Sequence, residues 1–387
     1  MFELLWLLLP VAAASGWWAA QRDAARRSPG YDRRAEYFRG LNYLLDEKPD
    51  RAIEVFGRIV ASEPDTVEAQ LTLGNLFRRR GEVDRAIQLH GELLARNDLT
   101  PTLHARAQFE LAEDYLRAGL FDRAEELFLD VVAQPEYRAH ALARLLSIYE
   151  QEKDWRKAID HCRLVEQATG LSKRTAAAHY CCELAEEAIA AGDTELAHRW
   201  LEQALALDSH GARAPMRQAR LASAQGDYAA AAEHYRRAVR QAPAYLPEVL
   251  EPLKACYLAL GCEADWLAWL REIAAGDHSG AVSAALAEAL RRLEGPTAAL
   301  AFLEAEIRVH PSMDGLRYLI DLKLGAAEPV RIGDLELLYR IGRDLLERGP
   351  RYRCDNCGFV GKALHWQCPG CKAWSTVKPV PDRLRRA

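Results

Sequence analysis

Residues 67–94 read VEAQLTLGNLFRRRGEVDRAIQLHGELL, and the fold is decided in this stretch. Gly74 stands twelve residues before Ala86, Phe77 follows Gly74 by three, and Gly81 precedes the alanine by five. Two helices joined at Gly81 account for that pattern. A small residue lets antiparallel helices approach, an aromatic fills the space beside them, and glycine reverses the chain. Outward in both directions the alanine position recurs as Ala52, Ala86, Ala124, Ala158, Ala197 and Ala231, at separations of 34, 38, 34, 39 and 34. Trp266 and Ala299 continue it at 35 and 33. The turn position holds Gly81, Gly119, Gly192 and Gly226, with Glu47 and Lys153 as weaker equivalents. The small position holds Gly40, Gly74, Ala112, Ala185, Ala219 and Ala287, and Leu146 and Lys254 depart from it. Tyr43, Phe77, Tyr115, Tyr149 and Tyr257 occupy the aromatic position, and Pro64, Pro243 and Pro311 end repeats.

This pattern resembles the tetratricopeptide repeat, a helix-turn-helix unit of 34 residues. The expected fold is all-α: a tetratricopeptide-repeat solenoid of about eight or nine units over residues 35–347. The longer spacings place inter-repeat loops near Asp98–Pro101 and Thr169–Ser172. A single unit cannot bury its apolar face, so neighbours must stack, and the stack presents an extended binding surface. Asn75, Arg78 and Arg79 fall on the inner helix of the second unit, where they could hold an acidic partner segment; an ordinary solvated face is the competing reading.

Residues 4–20, LLWLLLPVAAASGWWAA, carry no charge, and Gln21-Arg22 ends the run. Seventeen residues approach the lower limit for crossing a bilayer core of about 30 Å. The cationic residues Arg22, Arg26, Arg27, Arg33 and Arg34 all follow the segment, and only Met1 and Glu3 precede its core. A cleaved signal peptide wants its positive charge on the other side. The expected layout is therefore a transmembrane anchor at 1–20 and a basic juxtamembrane linker at 21–34, with the bulk of the chain cytoplasmic. A net charge of −5 over 387 residues gives no overall positive field for nucleic acid.

Four of the nine cysteines form Cys354-x2-Cys357-x10-Cys368-x2-Cys371. Each C-x-x-C pair can fold into a tight knuckle, and two facing knuckles complete a tetrahedron of thiolates around one ion. Residues 350–378 are thus expected to form a small rubredoxin-like or zinc-ribbon module of short strands, followed by a tail at 379–387. So short a fold has little core, so the ion would supply much of its stability. Zinc is preferred and iron is the alternative, since the loop between pairs is shorter than in rubredoxins and Lys372 replaces the glycine usual after the second pair. His365 and Trp366 read as packing residues, because four sulfurs already close a structural site. The other cysteines (Cys162, Cys181, Cys182, Cys256 and Cys262) read as small buried thiols in a reducing compartment.

Anchor, array and quartet in this order resemble the lipopolysaccharide assembly protein B family of Gram-negative bacteria. The resemblance is carried by FELLWLLLPVAAA (2–14), VEAQLTLGNLFRRRGEVDRAI (67–87), AGLFDRAE (118–125), YRCDNCGF (352–359) and HWQCPGCKAWSTVKP (365–379). It implies a regulatory protein of the inner membrane without catalytic residues. It also implies work with the membrane protease FtsH on degradation of the deacetylase LpxC, and gathering of other lipopolysaccharide-assembly proteins. The metal cysteines carry over as Cys354, Cys357, Cys368 and Cys371.

Two readings from other classes remain. One is a generic tetratricopeptide scaffold of another membrane complex, and the other an iron-thiolate electron-transfer protein, whose colour would betray it. An enzyme is disfavoured. The sequence has no phosphate-binding glycine loop, no nucleophile elbow and no HExxH, and its eleven histidines do not cluster at ligand spacing.

Overall fold

The computed structural model describes residues 17–18, 29–63, 65–310, 312–325 and 350–380. The span expected over 1–20 lies outside these residues, apart from Trp17 and Trp18, which are helical and exposed. Among the described residues no helix is long and apolar enough to cross a membrane. The repeat-ending Pro64 and Pro311, and the array beyond residue 325, also lie outside them.

The chain divides into two compact units, residues 1–152 and 153–387. In the first, helices α1 (Pro29–Leu45), α2 (Pro49–Ser62), α3 (Val67–Arg80), α4 (Val83–Leu94), α5 (Pro101–Ala118), α6 (Phe121–Val131) and α7 (Arg138–Glu152) pack in chain order, each on the next. Helix α1 begins inside the stretch 21–34 read as a linker, and a proline in its first turn is compatible with that start.

The second unit continues with α8 (Trp155–Thr169), α9 (Arg174–Ala190), α10 (Thr194–Leu207), α11 (Arg213–Ala224) and α12 (Tyr228–Gln241). A 3-10 turn over Pro243–Tyr245 leads to α13 (Leu246–Ala259), α14 (Glu263–Ala274), α15 (Gly280–Leu293), α16 (Pro296–Val309) and α17 (Met313–Gly325). These helices also pack in order. A three-stranded antiparallel sheet closes the described chain: β1 (Tyr352–Cys354), β2 (Val360–Gly361) and β3 (Val377–Pro379), in the order β2-β1-β3. Its last strand reaches one residue past the expected module boundary.

The repeat positions do what their chemistry requires. Ala52, Ala86, Ala124, Ala158, Ala197, Ala231 and Ala299 are each 0% exposed. Gly74 lies against His90 on the next helix so closely that a Cβ there would fall 2.3 Å from Nε2, far inside contact distance. The turns at Gly81 and Gly119 adopt left-handed backbone, with φ of 88° and 77°. Glu47 and Lys153, read as their equivalents, do the same at 56° and 60° despite carrying a Cβ. Asp154, Asp193 and Asp227 cap α8, α10 and α12 by accepting a backbone N–H at 3.1, 2.9 and 2.9 Å. The extra residues near Asp98–Pro101 and Thr169–Ser172 form the loops expected of them. One regularity escaped the sequence reading. The arginine before the repeat alanine lies over the repeat aromatic, as Arg51 on Tyr43, Arg85 on Phe77 and Arg123 on Tyr115, at 5.8, 3.9 and 5.6 Å.

Candidate metal centre

Both knuckles are built from the same backbone bonds. The Gly358 N–H donates to the Cys354 carbonyl and the Lys372 N–H to the Cys368 carbonyl, each at 2.9 Å. The Cys354 N–H donates to Phe359 O at 2.7 Å, and the Cys368 N–H to Ala373 O at 2.9 Å. Gly358 and Lys372 occupy equivalent left-handed positions, with φ of 75° and 59°. The sheet register Cys354↔Val377 and the bridge Gln367↔Trp374 hold the knuckles face to face.

The result is a cluster in which all four sulfurs lie within 4.8 Å of one another. Cys354 Sγ is 3.8 Å from Cys371 Sγ, and Cys357 Sγ is 3.7 Å from Cys368 Sγ. A tetrahedron with metal–sulfur bonds of about 2.3 Å has edges of about 3.8 Å, so the residues fit a four-thiolate ion. Electrostatics are uneven across the cluster. The Thr376 hydroxyl, 3.3 Å from Cys354 Sγ, leads the groups that draw that thiol down to about 6. The Asn356 side chain leads those lowering Cys371. At Cys357 the Phe359 amide lowers the pKa, but desolvation and the other three thiols outweigh it and push the group up to about 12. The remaining cysteines differ in kind. Cys162, Cys181, Cys182 and Cys256 are buried, and burial first, then neighbouring thiols, pushes Cys181 up to about 12.

The module is seated on helices of its own unit. Trp366 and Trp374 approach the His179 ring of α9 at 5.8 and 4.8 Å, and Trp366 lies 5.1 Å from the Tyr245 ring. The buried Arg213 guanidinium of α11 stands 5.9 Å from each indole and is held by Glu183 and Glu186 at 2.9 and 2.8 Å. Burial opposes that charge, yet Cys182, Glu183 and Glu186 hold its pKa above the ordinary arginine value. Arg213 Nη1 faces His179 Nδ1 at 3.5 Å, which leaves Nε2 to carry the ring proton and donate to Ser375 Oγ at 2.5 Å. Burial, then the Arg213 charge, pushes His179 down to about 3, so it is neutral at pH 7. The Tyr352 hydroxyl donates to Glu248 on α13, and that of Tyr245 to Val377 O at 3.4 Å. Trp366 is thus a packing residue, as read from sequence, and His365 lies by Phe359 with ring centroids 6.2 Å apart.

The trio on α3 has a different fate. Arg78 pairs with Glu110 at 2.7 Å and with Asp114 at 2.8 Å, and the buried Asp114 also meets buried His90 at 2.6 Å. Burial works against the Arg78 charge, but these two carboxylates raise its pKa. Asn75 Oδ1 is buried without a hydrogen-bond partner, and Arg79 is exposed. No local pattern points to the Arg78 network, because its partners lie 32 and 36 residues away in the next repeat.

A family model described as tetratricopeptide repeat matches residues 37–102, 109–172 and 182–245, and one described as rubredoxin metal binding domain matches 352–379. Fold and site together define a tetratricopeptide-repeat protein with a C-terminal rubredoxin-like metal module. Lipopolysaccharide assembly protein B of Escherichia coli strain K12 is 37% identical over 384 residues, covering 98% of each chain. The protein of that name from Haemophilus influenzae is 32% identical over 394 residues, covering 99% of each. The chain belongs to the lipopolysaccharide assembly protein B family. Among solved structures, one of MamA aligns at a TM-score of 0.35 with 17% identity, covering 46% of this chain and 93% of that one.

Proposed function

We propose that this chain is an inner-membrane-anchored cytoplasmic adaptor in lipopolysaccharide assembly, the process named in its relatives. Residues 1–20 are its anchor, 21–34 a basic linker, 35–347 the array, 350–378 the metal module and 379–387 a tail. The array holds the deacetylase LpxC or its degradation signal, and the anchor confines it beside the protease FtsH. Confinement raises effective concentration without new chemistry. Other lipopolysaccharide-assembly proteins use the same platform. Cys354, Cys357, Cys368 and Cys371 hold one ion, zinc in preference to iron, in a structural role. Asn75 and Arg79 are candidate partner contacts, with Arg78 bracing the helix that presents them.

The observation that carries this reading is the four-cysteine module seated on the repeat helices, a feature a generic scaffold does not require. Deleting residues 1–20 is expected to leave a folded, soluble protein that no longer promotes LpxC turnover. Undiminished LpxC degradation in such a strain would refute tethering.

A further inference from the structure

We infer that a cleft of the first unit, on α5 and α7, takes a tryptophan-bearing segment of a partner protein, because it repeats in open form the seat that α9 and α11 give the metal module. The correspondence is one of register. Eighteen residues before Ala197 and Ala231 stand His179 and Arg213, which lie against Trp366 and Trp374. Eighteen before Ala124 and Ala158 stand Arg106 and His140, so the same two chemistries return in exchanged order. Fourteen and eleven before Ala197 are Glu183 and Glu186; the same places before Ala124 hold Glu110 and Glu113. Arg217 and Arg144 occupy one further matching place, fourteen before Ala231 and Ala158.

Contacts repeat along with residue types. Arg217 pairs with Glu186 at 2.7 Å, and Arg144 pairs with Glu113, each arginine reaching back one repeat. What differs is cover. Beneath the module His179 and Arg213 are each 4% exposed. His140, Ala143 and Arg144 are exposed, and with Phe109, Glu110 and Glu113 they border a cleft of about 420 Å³. Phe109 stands where the other seat has Cys182, fifteen before the repeat alanine, and supplies an aromatic floor. It is half-buried against Phe128 and Tyr137 at 5.5 and 5.3 Å, and meets the His140 ring edge-on at 6.4 Å.

The filled seat indicates what the open one accepts. Its occupants are indoles, with the Ser375 hydroxyl beside them on His179. An indole suits the cleft for the same physical reasons. Its flat face packs on the Phe109 and His140 rings, and the Arg144 guanidinium on the rim is a cation for its π face. Its N–H needs an acceptor once out of water, and the Glu110 and Glu113 carboxylates border the same cleft. An aliphatic side chain would use only the floor, and an acidic one would face two like charges. Arg78 already holds Glu110 at 2.7 Å and Arg144 holds Glu113, so binding has little left to order. The inference rests on the adaptor reading for the existence of a partner, and adds the chemistry of the segment that is held.

The test uses the full-length chain in detergent and a fluorescein-labelled peptide of residues 372–378, KAWSTVK, the segment seated in the second unit. Fluorescence anisotropy should show saturable binding, about tenfold tighter than for the same peptide with Trp374→Ala. His140→Ala and Ala143→Trp, both at exposed positions, should each weaken it about tenfold and leave the circular dichroism spectrum unchanged. The second places a ring in the cleft without removing a core contact. Equal binding of the two peptides, or binding that survives both protein substitutions, would overturn the proposal. A concentration-dependent dimer of the chain that both substitutions dissolve would give the cleft to a second copy and overturn it equally. Neither protease nor deacetylase is present, so failure here is distinct from failure of tethering.

Discussion

At the residue scale, His179 and Lys372 show how much depends on single side chains. The seat for Trp374 and Ser375 needs a neutral imidazole, since its neighbour Arg213 is already positive. With a folded pKa of about 3 and an unfolded value of 6.5, the unfolded chain binds the extra proton between those limits. Stability from this group is therefore complete above pH 6.5 and is lost as pH falls, by about 1.4 kcal/mol per unit. Urea unfolding at pH 7 and pH 5 should show His179→Gln losing about 2 kcal/mol less than the unaltered protein. Lys372 bears a different load, a left-handed backbone that Gly358 adopts freely in the other knuckle. Lys372→Gly relieves about 1–2 kcal/mol of strain, against about 0.5–1 kcal/mol for a floppier unfolded chain. A net gain of about 0.5–1 kcal/mol is predicted, read as higher resistance of the module to chelator-driven unfolding.

At the element scale the repeat is a sequence of local decisions that largely explain themselves. Asp227 accepts the Ala230 N–H and starts α12 just after the turn at Gly226. Asp227→Ala should lower stability by about 1 kcal/mol with no change in helical content at low denaturant, measured by urea titration. The turn at Gly226 is legible in the sequence because its parts lie within one helical turn, whereas the Asp227 cap emerges only from the structure. Even the turns at Glu47 and Lys153, which lack glycine, were placed correctly by register alone. Contacts between repeats were not legible in this way. Gly74 is small because His90 fills its space, and Arg78 serves the next repeat instead of an open face. Nothing about a basic helical surface in one sequence distinguishes those two uses.

At the scale of the whole molecule the same division holds. The four cysteines announced their cluster by spacing, since each knuckle is local and only the two halves had to meet. The seat did not announce itself, because His179 and Ser375 are 196 residues apart and aromatic or charged types have many other uses. Phe109 and His140 likewise meet only because successive repeats stack. The long-range contacts make the metal module more than an appendage. An ion held by the four cysteines would organise the knuckles; the knuckles place Trp366, Trp374 and Ser375, and these cover His179 and Arg213. Loss of the ion should thus be felt on α9 and α11, far from it in sequence. Hydrogen exchange of the full-length chain, compared with Cys354→Ser stripped of metal, tests this coupling most directly. Amides of α9, α11 and α13 are predicted to lose protection together with the module, while α1 to α6 keep theirs. Protection unchanged on those three helices in a metal-free chain would contradict the account.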